Sequence, residues 1–298
     1  MNKDDKKRLP LIIGGAVMLF CLLVVGVYVG YRFLKHEYRQ QEIITNLEYK
    51  LSEIVDRNDA LETEVKTLEQ DISSFKSDVG AESKNWSVKN YNYLAIGNSI
   101  TQHPKCDYWW NECGMAASTL EKDYVHQLTK LIEGNEYIMS WGGIVDVSTL
   151  SLYYWEVQNN DRTEALSLLD SYLDDRLNLV TIQLGENASE LNTFESDFVE
   201  LIEYVKERCP IAQIVVVGDF WEYGGRDAME KRAAETCGVS YVDLSEIKSN
   251  AAWCAGLGTV VYGEDGVEHV IKHDGVAAHP GDEAMEWIAE KIYGVIGG

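Results

Sequence analysis

Basic residues are in short supply in this chain. Only 26 Lys and Arg stand against 49 Asp and Glu in 298 residues, a formal charge of −23. Proteins that grip nucleic acid gather Lys and Arg on one face to neutralise phosphates, so no nucleic-acid partner is expected. The acidity is spread along the chain, which reads as a soluble, self-repelling surface rather than a cation site. There is no CxxC pair among the six cysteines, which argues against a zinc or thioredoxin-like site. Cys21 lies in an apolar run, leaving Cys106, Cys113, Cys209, Cys237 and Cys254, an odd number that cannot pair completely. Cys106 and Cys113 are near enough for a small loop disulfide in an oxidising compartment, if the geometry such a bond needs is met. Internal repeats and low-complexity tracts are also missing.

One long stretch has no charge at all. Residues 9–31, "LPLIIGGAVMLFCLLVVGVYVGY", are enough at about 1.5 Å per residue to cross a hydrocarbon core of about 30 Å. A cleaved signal peptide is the competing reading, but its apolar region would be shorter, about 7–15 residues, and end in a small-residue cleavage site. Here the run continues into "YRFLKHEYRQ". The expectation is a single-pass anchor with residues 1–8 as a cytoplasmic tail and the rest outside the cell membrane. Lys3, Lys6, Lys7 and Arg8 favour that orientation, although Arg32, Lys35 and Arg39 on the far side weaken the asymmetry.

Residues 32–80 carry a heptad pattern. Ile44, Leu51, Asn58, Val65, Ile72 and Val79 occupy one seam position, and Leu47, Ile54, Leu61, Leu68 and Phe75 the other. A lone Asn in the first position favours a parallel, in-register pair. Across such a pair Arg57 would face Glu62 of the second copy, and Asp71 would face Lys76. The expectation is a coiled-coil stalk that makes a parallel homodimer; a single long amphipathic helix packed on the globular part is the alternative. Gly80 stops the helix, and residues 81–90 read as a linker.

From residue 91 to 298 the pattern changes to short apolar runs between helix-like stretches. "YNYLAIG", "LVTIQLG", "AQIVVVGD" and "GVSYVDL" read as buried parallel strands, with a further strand near residues 143–147. "YVHQLTKLIEG", "FESDFVELIEYVKERC", "DAMEKRAAETCG" and "DEAMEWIAEKIYGVI" read as helices, and "TVVYGEDGVEHVIK" as a hairpin turning at Asp265-Gly266. Alternation of this kind means an α/β fold.

Within it, "YLAIGNSITQH" ends a buried strand at Gly97 and places Ser99 at the rim of the sheet, where ligands bind in parallel α/β folds. A strand-to-helix turn with Ser as a cap gives the same pattern. A serine hydroxyl needs a base. Among six histidines, His36 is beside the apolar run, His126 falls in a helix, His103 follows Ser99 too closely to aim at it easily, and His269 sits in the hairpin. His273 and His279 remain, and His279 lies in a loop before the last helix, stiffened by Pro280. In "IQLGENAS", Asn187 follows Gly185 at the same edge and could donate to an oxyanion, or simply cap a turn.

Gly-Asn-Ser, Gly-Glu-Asn and His-Pro in this order resemble the SGNH hydrolases, the GDSL esterase/lipase superfamily, with "GNSIT" similar to the first block of O-acetylesterases. The resemblance implies a three-layer α/β/α sandwich with a parallel sheet, flavodoxin-like, and a serine hydrolase without metal or other cofactor. It further implies Ser99 as nucleophile, His279 as base, and the Ser99 N–H with the Asn187 side chain as the oxyanion hole. The chain departs from the family twice. Val276 stands where an acid is usual, so Asp274 is the candidate to orient His279, with a backbone carbonyl as the alternative. The second oxyanion donor is assigned to Gly143, with Gly142 beside it, although a strand starting at residue 144 would put both at its wrong end.

Trp109 and Trp110, in the long loop after the nucleophile, are candidates to stack on a sugar ring or to fill a core. "LYYWE", residues 152–156, is a second aromatic cluster, for a pocket wall or its support. The expected function is a cell-surface esterase that removes O-acetyl or other short acyl groups from an acylated glycan. Transfer of the acyl group to a glycan hydroxyl, or a non-catalytic glycan-binding scaffold, are the alternatives.

Overall fold

The computed structural model describes residues 83–139, 143–158 and 162–297, with scattered helical positions between 23 and 51. The expected membrane span and most of the heptad stalk lie outside the described residues. Among the described residues, no helix is long and apolar enough to cross a membrane. The chain divides into two compact units, Met1–Phe75 and Lys76–Gly298; the second carries the chemistry.

Five parallel strands form its sheet: β1 (Tyr91–Gly97), β2 (Val145–Ser151), β3 (Leu179–Gln183), β4 (Gln213–Val217) and β5 (Ser240–Val242), in the order β2-β1-β3-β4-β5. All residues of β3 and all but the first of β1 are buried, as a sheet covered on both faces requires. The strand expected near residues 143–147 begins at Val145 and runs on to Ser151.

Side chains alternate between two cores. Leu94, Ile96, Val180, Ile182 and Val216 face one helical layer. That layer is built from α2 (Tyr153–Val157), α3 (Thr163–Leu166), α4 (Phe194–Arg208) and α5 (Arg226–Cys237). Tyr93, Ala95, Val215 and Val217 face α1 (Tyr124–Glu133) and, near the C-terminus, α7 (Asp282–Ile296). Helix α4 buries Phe194, Phe198, Leu201, Ile202 and Val205, the i, i+4, i+7, i+8, i+11 stripe of one helical face. Helix α7 does the same with Met285, Ile288, Ala289 and Ile292. The result is the three-layer α/β/α arrangement.

Strand order 2-1-3-4-5 reverses direction between β1 and β3, and the crevice beyond the carboxyl ends of those two strands is where such sheets bind ligands. Register makes the edge level, because Gly97 lies opposite both Ser151 of β2 and Gln183 of β3. The turns that follow β1 and β3 therefore leave the sheet side by side. A small antiparallel hairpin, β6 (Val260–Tyr262) and β7 (Glu268–Val270), and a short helix α6 (Asp274–Ala277) complete the unit. The five described cysteines are all free thiols, Cys106 and Cys113 among them.

Candidate active site

The turn after β1, which carries Ser99, is built by Gly97 and Asn98. A Cβ on Gly97 would lie 1.8 Å from Thr101 Oγ1 and 2.9 Å from the Gln183 carbonyl, so only glycine lets β1 turn this tightly against β3. Fully buried Asn98 folds the turn with both its side chain and its backbone carbonyl. Its Oδ1 accepts from Ile100 N at 3.0 Å, and its carbonyl accepts from Thr101 N and Gln102 N. Ser99 is left half-buried at the rim, and among the described residues its N–H has no hydrogen-bond partner.

The hydroxyl meets an imidazole across 180 residues of sequence. Ser99 Oγ lies 2.8 Å from His279 Nε2. His279 follows α6, and its carbonyl accepts from Ala255 N at 2.9 Å, which fixes the loop that carries it. His279 Nδ1 is 2.7 Å from the Gly275 carbonyl. A carbonyl only accepts, so the proton sits on Nδ1 and Nε2 is free to take the serine proton. Burial, helped by the charges of His103 and His273 and opposed by the Gly275 carbonyl, lowers the His279 pKa to about 4. The imidazole is thus a neutral base well into acid.

Asp274, the expected orienting acid, does not fill that role. It is the first residue of α6, its side chain is exposed, and no hydrogen bond joins it to His279. The helical turn aims the carbonyl one residue further on at Nδ1 and leaves the carboxylate in solvent. The site is a dyad oriented by backbone. Gly143 is also misplaced as an oxyanion donor. It precedes the amino end of β2, packed so closely on Lys89 that a Cβ would lie 2.0 Å from the Lys89 carbonyl, at the edge opposite Ser99. Gly142 lies outside the described residues.

Asn187 does reach the right edge. It is exposed in the turn after β3, and its Nδ2 donates to Glu156 Oε2 at 2.7 Å. One N–H of the carboxamide remains for another acceptor. Gly185, at φ +148°, starts that turn in a conformation reserved for glycine, and a Cβ there would strike Glu230 Oε1 and Asp219 Oδ1 at 2.3 and 2.4 Å. Arg226 ties the turn to the one after β4. Its Nη1 donates to the Glu186 and Ala188 carbonyls, and its Nε to Asp219 Oδ2 at 2.6 Å.

Sequence reasoning missed Glu156. It is fully buried and accepts from Asn98 Nδ2 (3.0 Å), Gly185 N (2.6 Å) and Asn187 Nδ2 (2.7 Å). Burial and the nearby Glu186 charge push its pKa up to about 7, with the three donors pulling the other way. The available signal was an acid enclosed in the aromatic run "LYYWE". Trp155 in that run is support rather than pocket wall, with its ring 5.9 and 5.5 Å from Phe194 and Phe198.

The two tryptophans after the nucleophile fasten the long loop to the β6-β7 hairpin. Trp109 is fully buried with Val261, Ile271 and Val276, so it offers no face to a sugar. Trp110 gives one face to His269, stacked at 4.2 Å and 5°. Of the other aromatic rings, one meets the imidazole of His279. Trp221 packs edge-on to His279 at 4.9 Å, and Tyr108, 41% exposed, stacks on His273 at 4.4 Å. His126, by contrast, is bound to Asp123 at 2.7 Å in the cap of α1.

No protein-family model matches the sequence, and no curated protein matches it. Among solved structures, a Bacteroides uniformis protein described as a GDSL-like lipase aligns at 12% identity over 72% of this chain and 99% of its own, with a TM-score of 0.45. A family two carbohydrate esterase from Clostridium thermocellum aligns at 15% identity over 72% of this chain and 65% of its own, TM-score 0.44. An extracellular lipase from Streptomyces rimosus aligns at 14% identity over 67% and 98%, TM-score 0.40.

Proposed function

We propose that this chain is a serine ester hydrolase that removes short acyl groups, acetyl foremost, from a carbohydrate. The observation that carries the reading is the 2.8 Å contact between Ser99 Oγ and His279 Nε2 at the switch point of the sheet, with the imidazole tautomer fixed by the Gly275 carbonyl. Ser99 Oγ attacks the ester carbonyl as its proton passes to Nε2. The oxyanion is held by the Ser99 N–H and the free N–H of Asn187. Collapse breaks the C–O bond, and His279 returns the proton to the departing sugar hydroxyl. Water then attacks the acyl-enzyme, giving its proton to His279, and the free acid leaves as Ser99 is re-protonated.

A sugar ester is supported by the ring of Trp221 against His279, since an amphipathic ring suits a substrate with both apolar faces and hydroxyls. The acidic surface repels anionic phosphate substrates. In the same proposal, residues 9–31 anchor the chain in the cell membrane and the heptads of residues 32–80 pair it with a second copy, holding the hydrolase outside the cell.

The test is hydrolysis of p-nitrophenyl acetate and of an acetylated oligosaccharide by the full chain in detergent, with a fluorophosphonate to tag the nucleophile. Wild type releases acetate and is labelled at Ser99, whereas Ser99→Ala loses about 10⁴-fold or more in kcat/KM and all labelling. Equal turnover by wild type and Ser99→Ala refutes the reading. Acetylated acceptor sugar appearing in place of free acetate shows a transferase.

A further inference from the structure

The least expected group near the site is the carboxylate of Glu156. A buried ionisable group costs several kcal/mol unless its lone pairs are used, and this one spends three of its roughly four on the turns that frame Ser99. Oε1 accepts from Asn98 Nδ2 in the turn after β1 and from Gly185 N in the turn after β3. Oε2 accepts from Asn187 Nδ2. Its own position is fixed from behind. Trp155, the preceding residue, sits among Phe194 and Phe198, and the Trp155 carbonyl accepts from Arg162 Nε at 3.0 Å. Arg162 is itself 1% exposed and paired with Asp197 on α4.

We infer that Glu156 is a positioning residue for ester hydrolysis: it selects which way round the exposed Asn187 carboxamide sits and locks that turn to the nucleophile turn through Asn98. This rests on the function proposed above. An exposed Asn is otherwise free to rotate, and its two ends are close in shape and opposite in polarity. Only an acceptor at its Nδ2 keeps the amide from presenting Oδ1 to a developing oxyanion. A carboxyl oxygen keeps a lone pair for Nδ2 whether or not the group is protonated, whereas an amide NH₂ has none to offer, so Glu156 enforces one orientation.

The isosteric change Glu156→Gln makes this concrete. Gly185 N and Asn98 Nδ2 both need an acceptor, so the Gln oxygen stays on their side and its NH₂ turns toward Asn187. Asn187 then has to flip and offer Oδ1, which removes one oxyanion donor and leaves a lone pair in its place. Loss of one such donor typically lowers kcat by about 10²–10³-fold. The expected result for the full chain on p-nitrophenyl acetate is a fall of about 10²-fold in kcat with KM within about twofold. Asn187→Ala falls to a similar degree. The double variant falls no further than Asn187→Ala alone, because Glu156 acts through that side chain. A merely structural role would instead multiply the two losses or lower the amount of folded enzyme.

Fluorophosphonate labelling separates the two failures. If wild type is labelled at Ser99 and turns over ester, but Glu156→Gln keeps wild-type kcat or multiplies with Asn187→Ala, this inference is overturned and the esterase stands. If wild type is neither labelled nor active, both fall. Should Glu156→Gln fail to fold, Glu156→Asp runs the same cycle: it keeps the charge but draws the acceptor back from Asn187, and a kcat unchanged from wild type overturns the inference equally.

Discussion

Lowering the pH separates a backbone-oriented dyad from an ordinary triad. In a triad a buried carboxylate holds the imidazolium that forms during catalysis, and neutralising it costs about 10⁴-fold in kcat. Here the partner of His279 Nδ1 is the Gly275 carbonyl at 2.7 Å, and burial lowers the His279 pKa to about 4. A histidine at its usual 6.5 would be about 90% protonated at pH 5.5, whereas one at about 4 would be roughly 3% protonated. Falling pH inactivates the enzyme by protonating Nε2, so the sign is loss of activity toward acid with the midpoint displaced downward. The assay is kcat/KM on a non-ionising acetyl ester from pH 3 to 8, followed by acetate release. Activity at pH 5.5 should stay near its pH 7 value, with half lost near pH 4. Asp274→Asn should change neither the plateau nor the midpoint by more than about twofold, because that carboxylate is in solvent. A midpoint between 6 and 7, or a loss of 10³-fold or more in Asp274→Asn, would refute the dyad.

Two further outcomes follow from the acids and from the heptads. Burial, with the charges of Asp219 and Glu186, holds Glu230 well above its ordinary pKa, so the native state binds more protons than the unfolded chain above about pH 4.3 and stability falls as pH rises. Thermal unfolding followed by circular dichroism from pH 5 to 9 should show Tm falling by several degrees in wild type and less in Glu230→Gln; superimposable slopes would count against this. The full chain in detergent should sediment as a dimer if the Asn58-marked seam pairs two copies, and a monomer at micromolar concentration would remove the stalk from the proposal.

The elements were legible because each is a local pattern. The largely apolar runs at Tyr93–Ile96 and Leu179–Ile182, short and closed by Gly97 and Gly185, read as strands buried on both faces, and the stripe from Phe194 to Val205 closes one side of a helix. Ser99 and His279 were also accessible, since a nucleophile after a glycine-terminated strand and a histidine in a Pro-stiffened loop are chemical types in recognisable settings. Trp109 was not. Its residue type suits a core and a sugar site equally, and only the approach of Val261 and Ile271 from the hairpin, some 150 residues on, buries it. Gly143 lies before the amino end of its strand, as a start near residue 144 already implied, and the second oxyanion donor it stood for has no local motif to mark it.

Residue types and their spacing determined the α/β class, the strand-edge position of Ser99 and the candidates for base and oxyanion donor, because strand and helix periodicities and turn chemistry act between near neighbours. What orients those groups was decided by tertiary structure. A carbonyl of Gly275 rather than the carboxylate of Asp274 meets His279, and Glu156 comes from helix α2, after a different strand, to hold Asn98 and Asn187. Hydrogen bonds are set by distance and direction at about 3 Å. Every residue carries a carbonyl, so the sequence cannot mark the one that a helical turn aims at an imidazole, nor which buried acid will find three donors.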